Sequence, residues 1–217
     1  MNMKTKIIMI RHGQSQANAE SRFAGHSDFD LTDLGRQQAK CAADYLRKCG
    51  IVPDVIYSSD LKRAHNTALP IAEEFGLPIN DTEGLREIFA GDWEGRLFDE
   101  IKEEYPDLFG CWFGDNGNCR CPNGESVAEL GQRVFECLAE IGEENRDLTV
   151  AVATHATPIR ALQAITTYGS VSEIKKVPWV SNASVSTVIY DKGTFTFEES
   201  GYDKHLIGLT TELPKDI

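Results

Sequence analysis

The stretch IIMIRHGQSQAN, Ile7–Asn18, runs four large apolar residues straight into arginine, histidine and glycine with no turn between them. An uninterrupted apolar run bounded by charge, Lys6 to Ile10, reads as a strand buried on both faces. Arg11 and His12 then fall at its carboxyl end. Working outward, Thr32 caps a helix expected over 33–48, with Leu34, Ala42, Tyr45, Leu46 and Cys49 on one face. DVIYSS, Asp54 to Ser59, is a second strand, and Ser59 is placed to cap a helix from Asp60 to Phe75. A third strand-like piece lies around Pro78 to Asp81. SVAE, Ser126 to Glu129, has capping-box spacing and opens a helix to about Asn145. LTVAVATH is a further buried strand, with Thr157 and Pro158 at the cap and first turn of the helix behind it. SVSTVIYDKGTFTFEES is a hairpin turning at Asp191-Lys192-Gly193.

Strands alternating with helices predict an α/β fold with a mainly parallel sheet and one antiparallel edge hairpin. In such sheets ligands bind in the crevice beyond the carboxyl ends of the strands. Four segments deliver chemistry there. RHG brings Arg11 and His12; VIYSSDLKRA brings Arg63 in the first turn of a helix; LREIFAGDWEG brings Glu87; VAVATHATPIR brings His155 just before a helix N-terminus. Taken singly, such a histidine is ordinarily a loop residue and such an arginine a solvated or ion-paired one. Converging on one edge, they are the parts for phosphoryl transfer without a metal. A neutral imidazole attacks phosphorus and forms an N-phosphoryl intermediate. Arginine forks and a protonated second histidine stabilise the equatorial oxygens. A carboxyl group protonates the departing alkoxide, provided its pKa is raised from about 4.3, as repulsion from bound phosphate would do.

RHGQSQAN, SSDLKRAHNTA, LREIFAGDWEG and THATPIR, in that order, resemble the histidine phosphatase superfamily, whose fold is shared with cofactor-dependent phosphoglycerate mutases. The likeness runs from Lys6 to Leu206, taking in LTDLGRQQA and the closing DKHL, and is faint across Phe98 to Asn123. It implies a three-layer α/β/α sandwich. It also implies His12 as the phosphorylated nucleophile, Glu87 as general acid and then base, and Arg11, Arg63 and His155 around the phosphoryl group. By the same resemblance Asn18 is a further donor, the Gly25 region reaches substrate, and Ala156 stands where the family often has glycine. Alanine keeps the backbone N–H there.

The resemblance leaves three activities to distinguish. Family mutases carry an arginine, histidine and tyrosine after the acid glutamate, whereas this chain has Ile88, Phe89 and Ala90. Their arginine-bearing lid finds only Lys102 and Arg120 here, among acids. GDWEG resembles the phosphatase branch, so a metal-independent phosphomonoesterase is expected over a mutase. A non-catalytic phospholigand-binding protein would have lost a catalytic group, and none is missing. Trp93, Phe98, Trp112 and Phe113 form either an apolar wall for a bulky leaving group or ordinary lid packing. A ribazole phosphate phosphatase and a broad-specificity phosphatase are both compatible relatives.

One domain is expected over 1–217, with a lid-like lobe inserted at about 96–125, where glycines, aromatics and acids crowd without a period. Of 217 residues 41% are hydrophobic and mean hydropathy is −0.32, a globular, soluble composition. No run suits a membrane span or a signal peptide, and a cytoplasmic location is expected. A net charge of −12 argues against nucleic acid or anionic membrane as partner and leaves a small phosphorylated substrate held by local cations. Neither a Walker A nor an H-E-x-x-H sequence is present, so no cofactor and no metal is expected. CAADYLR matches the Cys-x5-Arg of cysteine phosphatases, but it lies mid-helix, where successive N–H groups cannot face an anion. The six cysteines are expected as reduced thiols; Cys111, Cys119 and Cys121 lie close in sequence but without C-x-x-C pairing. His26, His65 and His205 are expected to be structural or at the surface. Nothing in the pattern marks an oligomer interface.

Overall fold

The computed structural model describes residues 4–211. One six-stranded sheet has the order β3-β2-β4-β1-β5-β6. Its strands are β1 (Thr5–Arg11), β2 (Val55–Ser59), β3 (Ile79–Thr82), β4 (Thr149–Thr154), β5 (Val185–Asp191) and β6 (Thr194–Tyr202). The first four run parallel; β5 is antiparallel to β1, and β6 pairs with β5 through a turn at Lys192 and Gly193, both at positive φ. Those two positive angles match the twist of a tight hairpin.

Ile7, Ile8, Met9 and Ile10 are all fully buried because β1 is covered on both faces. Ile8 and Ile10 pack with Leu46 and Ala42 of α2 (Asp33–Lys48) and with Ile71 of α3 (Lys62–Phe75). Ile7 and Met9 point the other way, into a core shared with α6 (Val127–Glu144) and α7 (Ala156–Tyr168). The period-two alternation of strand side chains thus produces the three layers. A one-turn helix α1 (Gln16–Ala19) and the pair α4 (Phe98–Glu104) and α5 (Pro106–Asp115) complete the α-helices among the described residues. No helix among the described residues is long and apolar enough to cross a membrane.

The caps of α2 and α6 form as expected. Thr32 accepts from Gly35 N at 3.0 Å, and Ser126 and Glu129 close a capping box. Three local expectations are corrected. Ser59 does not cap α3, which begins two residues later behind Leu61; its hydroxyl is drawn instead to His155. The cap of α7 is His155 rather than Thr157, which lies inside the first turn together with Pro158. The stretch 98–123 is helical as far as Asn118, apart from Tyr105, rather than irregular throughout. Pro106 starts α5 at a first-turn position where its missing N–H costs nothing. A fourth correction concerns redox state: Cys111 and Cys119 are joined as a disulfide that ties α5 to the turn after it, while Cys41, Cys49, Cys121 and Cys137 are free.

Candidate active site

Parallel pairing of β1 with β4 sets Arg11 opposite Thr154, so His12 and His155 leave adjacent strands side by side. His12 N donates to Thr154 O at 2.9 Å, and the two rings meet edge-on with centroids 5.1 Å apart. Glycine must follow His12, because a Cβ on Gly13 would collide with the carbonyl oxygen of Gly35 at the start of α2. The turn places Gly13 O 2.7 Å from His12 Nδ1. A carbonyl only accepts, so Nδ1 carries the proton and the lone pair is left on Nε2. Burial, with Arg63 and Arg11 close by, holds the His12 imidazole well below the usual histidine range. The ring is therefore neutral at neutral pH, in the form a nucleophile requires.

His155 is fully buried, with Nε2 2.9 Å from Ser59 Oγ and Nδ1 without a partner among the described residues. Burial, then Arg63 and His12, hold it well below its usual range too. In the free site it is neutral, not the protonated donor expected from the reaction chemistry. Arg63 is completely buried on the first turn of α3, where Nη2 donates to Gly25 O at 2.6 Å and Nη1 to Ser27 O at 2.9 Å. Arg11 Nη1 donates to Val180 O at 2.6 Å. Burial lowers both guanidinium pKa values to about 10, which leaves both groups cationic at neutral pH. Each has a buried Nε with no acceptor among the described residues.

Glu87 sits beyond β3, with Oε1 receiving Ile88 N at 2.8 Å and Oε2 receiving Thr157 N at 3.3 Å from the first turn of α7. Asn18 Oδ1 accepts from Ser15 N and from Asn182 Nδ2, each at 3.1 Å, which commits the oxygen and frees the amide NH2. One cavity is lined by Arg11, His12, Asn18, Gly25, Arg63, Glu87 and Ala156. All the residues expected from the motifs are thus brought together, His155 lying just behind the lining. The three other histidines also have places. His26 Nε2 donates to Glu87 O at 2.8 Å, His65 pairs with Asp81, and His205 stacks on Tyr45.

Several contributors had no individual role assigned from the sequence. Asn182 donates to His12 O at 3.0 Å and is 2% exposed, yet it stands in the unremarkable segment before β5. Glu94, inside GDWEG, accepts from His26 N, Ser27 N and Ala90 N at 2.7–2.8 Å. It thereby ties the Glu87 loop to the loop whose carbonyls hold Arg63. Gly25, at φ +48°, is required there, since a Cβ would strike that carboxylate. Arg133 of α6 donates to the carbonyls of Gly84, Arg86 and Glu87 at 3.1–3.2 Å and pairs with Glu125 at 2.9 Å. An acceptor cluster of that kind is invisible until the chain folds.

A mostly parallel sheet delivering two histidines and two buried arginines to one cavity is the frame of a phosphatase with the phosphoglycerate mutase-like fold. Residues 7–203 match the histidine phosphatase superfamily (branch 1), and the chain belongs to that superfamily. It is 38% identical over 157 residues to phosphoserine phosphatase 1 of Hydrogenobacter thermophilus, covering 72% of this chain and 74% of that one. It is 32% identical over 203 residues to a glucosyl-3-phosphoglycerate phosphatase of Mycolicibacterium vanbaalenii, covering 88% and 89%. The solved structure of Bacillus stearothermophilus YhfR superposes with a TM-score of 0.88 at 30% identity, covering 93% of this chain and 99% of that one. The protein is a phosphatase of this superfamily.

Proposed function

We propose that the protein is a metal-independent phosphomonoesterase that works through phospho-His12 on a small phosphorylated metabolite, as its named relatives suggest. His12 Nε2 attacks phosphorus in line, the N–P bond forming as the ester P–O bond breaks. Glu87 gives its proton to the departing alkoxide. Water then loses a proton to the Glu87 carboxylate and attacks phosphorus, the P–N bond breaks, and inorganic phosphate and neutral Nε2 are restored.

The observation that carries this reading is the set of orphaned buried polar groups. Arg11 Nε, Arg63 Nε and His155 Nδ1 are buried without partners among the described residues, next to a neutral imidazole with a free lone pair. Buried polar groups rarely go unpaired, and a set like this calls for an acceptor-rich ligand. A phosphoryl group brings three oxygens. The two guanidiniums supply the positive charge that a metal supplies in other phosphatases, and the Asn18 amide adds a donor. Bound dianion also provides the counter-charge that would let His155 take up a proton. Hydrolysis rather than mutase activity follows from what flanks the acid. Ile88 lines the cavity where a second anionic group would need a cation. We take the helical pair α4–α5 as the lid-like lobe over this opening, because Phe98, Trp112 and Phe113 line the cavity.

The test is release of inorganic phosphate from a panel of esters in EDTA, with His12→Ala as control, and recovery of alkali-stable phosphohistidine after rapid quench. Turnover that EDTA abolishes, or that survives His12→Ala, overturns the proposal.

A further inference from the structure

The cavity over His12 has two unlike halves. Against the polar end stands an apolar one lined by Phe23, Ile88, Phe98, Trp112, Phe113 and Trp179. The aromatic side is one continuous body. Phe23 lies 5.0 Å from Trp112 and 6.2 Å from Phe98, and Phe98 lies 5.9 Å from Phe113, centroid to centroid. Trp93, 1% exposed, backs this wall at 5.3 Å from Phe23 and 6.3 Å from Trp112. It is core, whereas Phe98, Trp112 and Phe113 line the cavity. Trp179 is held separately, over the Arg160 guanidinium at 4.3 Å. The surface is therefore formed before substrate arrives, and little ordering entropy opposes its use.

Cations in this half are few and already engaged in part. Arg22 is the one cation lining the cavity besides Arg11 and Arg63, among the described residues. Its Nε pairs with the Glu20 carboxylate at 2.6 Å and its Nη1 donates to Gly95 O at 2.9 Å. A carboxylate on the substrate would lose water against the aromatic wall and would have to compete with Glu20 and Gly95 O for Arg22, which is unfavourable. A flat apolar ring would instead gain from burial and from edge and face contacts.

Resting on the phosphatase reading above, we propose that the preferred substrate is a phosphate monoester of an uncharged aromatic alcohol, not of a hydroxy acid. This departs from the phosphoserine and phosphoglycerate derivatives in the relatives' names.

Benzyl and ethyl phosphate leave as alkoxides of similar basicity, so their ratio reads contact with the ring rather than leaving-group chemistry. Benzyl phosphate is expected to exceed both ethyl phosphate and phosphoserine in kcat/KM by about tenfold or more, the scale of removing one ring from water. Phe113→Ala is expected to bring the benzyl-to-ethyl ratio towards one. Trp179→Leu, on a different segment, should do the same if the first variant folds poorly. Phosphoserine matching or exceeding benzyl phosphate overturns this proposal alone, as does a ratio that neither variant moves. Silence on all three esters overturns the phosphatase reading and this one with it.

Discussion

His12 and His155 follow paired residues of adjacent parallel strands, Arg11 opposite Thr154, and their rings meet edge-on at 5.1 Å in a site that keeps both neutral. The cause is burial first and neighbouring guanidinium charge second.

That neutrality ties stability to pH. An unfolded histidine takes up a proton below about pH 6.5, whereas these two resist it in the fold. In that window the unfolded chain binds more protons than the folded one. Stability is then full above about pH 6.5 and falls as pH drops, by at most about 1.4 kcal/mol per pH unit per ring. His205, also lowered by burial, adds in the same direction. Urea unfolding at pH 7.5 and at pH 5.5 measures the loss. His155→Asn should make the slope shallower; an unchanged slope would show that this ring is not the titrating group.

Glu87→Gln retains the acceptor for Thr157 or Ile88 N but has no proton to transfer. Its kcat/KM on an alkyl phosphate should fall about 10²–10⁴-fold. Nitrophenyl phosphate, whose leaving group needs no proton, should be affected far less. Equal losses on the two esters would remove Glu87 from the acid role.

Glu94→Gln puts an amide NH2 in place of one carboxylate oxygen, where it faces either Ser27 N or the pair His26 N and Ala90 N. Removing charge-assisted bonds to backbone donors should destabilise the fold by about 2–3 kcal/mol. Because the Gly25–Ser27 carbonyls hold Arg63, inhibition by inorganic phosphate should weaken as well. Thermal unfolding and an inhibition series check the two effects. Lost stability with unchanged phosphate inhibition would break the link to Arg63.

The cysteines give a direct chemical check. Alkylation of the denatured protein without reductant should modify the four free thiols, and all six only after reduction, with Cys111 and Cys119 linked in the peptide map. Six modified thiols before reduction would count against the bridge.

Much of this site was legible before folding because each motif sits at a boundary with its own local cause. Buried strands announce themselves as apolar runs, and the capping signals of α2 and α6 depend on residues three apart. Ser59 misled because a serine before a helix has the chemistry of a cap; a buried imidazole nearby claimed its hydroxyl. The helices α4 and α5, seven and ten residues long, showed no stripe, since their aromatics face both the core and the cavity. Cys111 and Cys119 looked unpaired because their spacing becomes a bridge only once α5 ends in a turn.

The three-layer sandwich comes from the family resemblance, whereas the alternation of strands and helices, the mainly parallel sheet that follows from it, and the delivery of Arg11, His12, Arg63, Glu87 and His155 to one edge are written in the sequence. Those are consequences of periodicity and of position along single segments. Only the tertiary structure decided which ring nitrogen of His12 keeps its lone pair, which carbonyls aim Arg63, and that Asn182 and Glu94 hold the site together. It also decided that the aromatic wall opens onto the cavity with its nearest arginine already paired. Each of these depends on backbone groups and charges from segments distant in the chain, which no local pattern records.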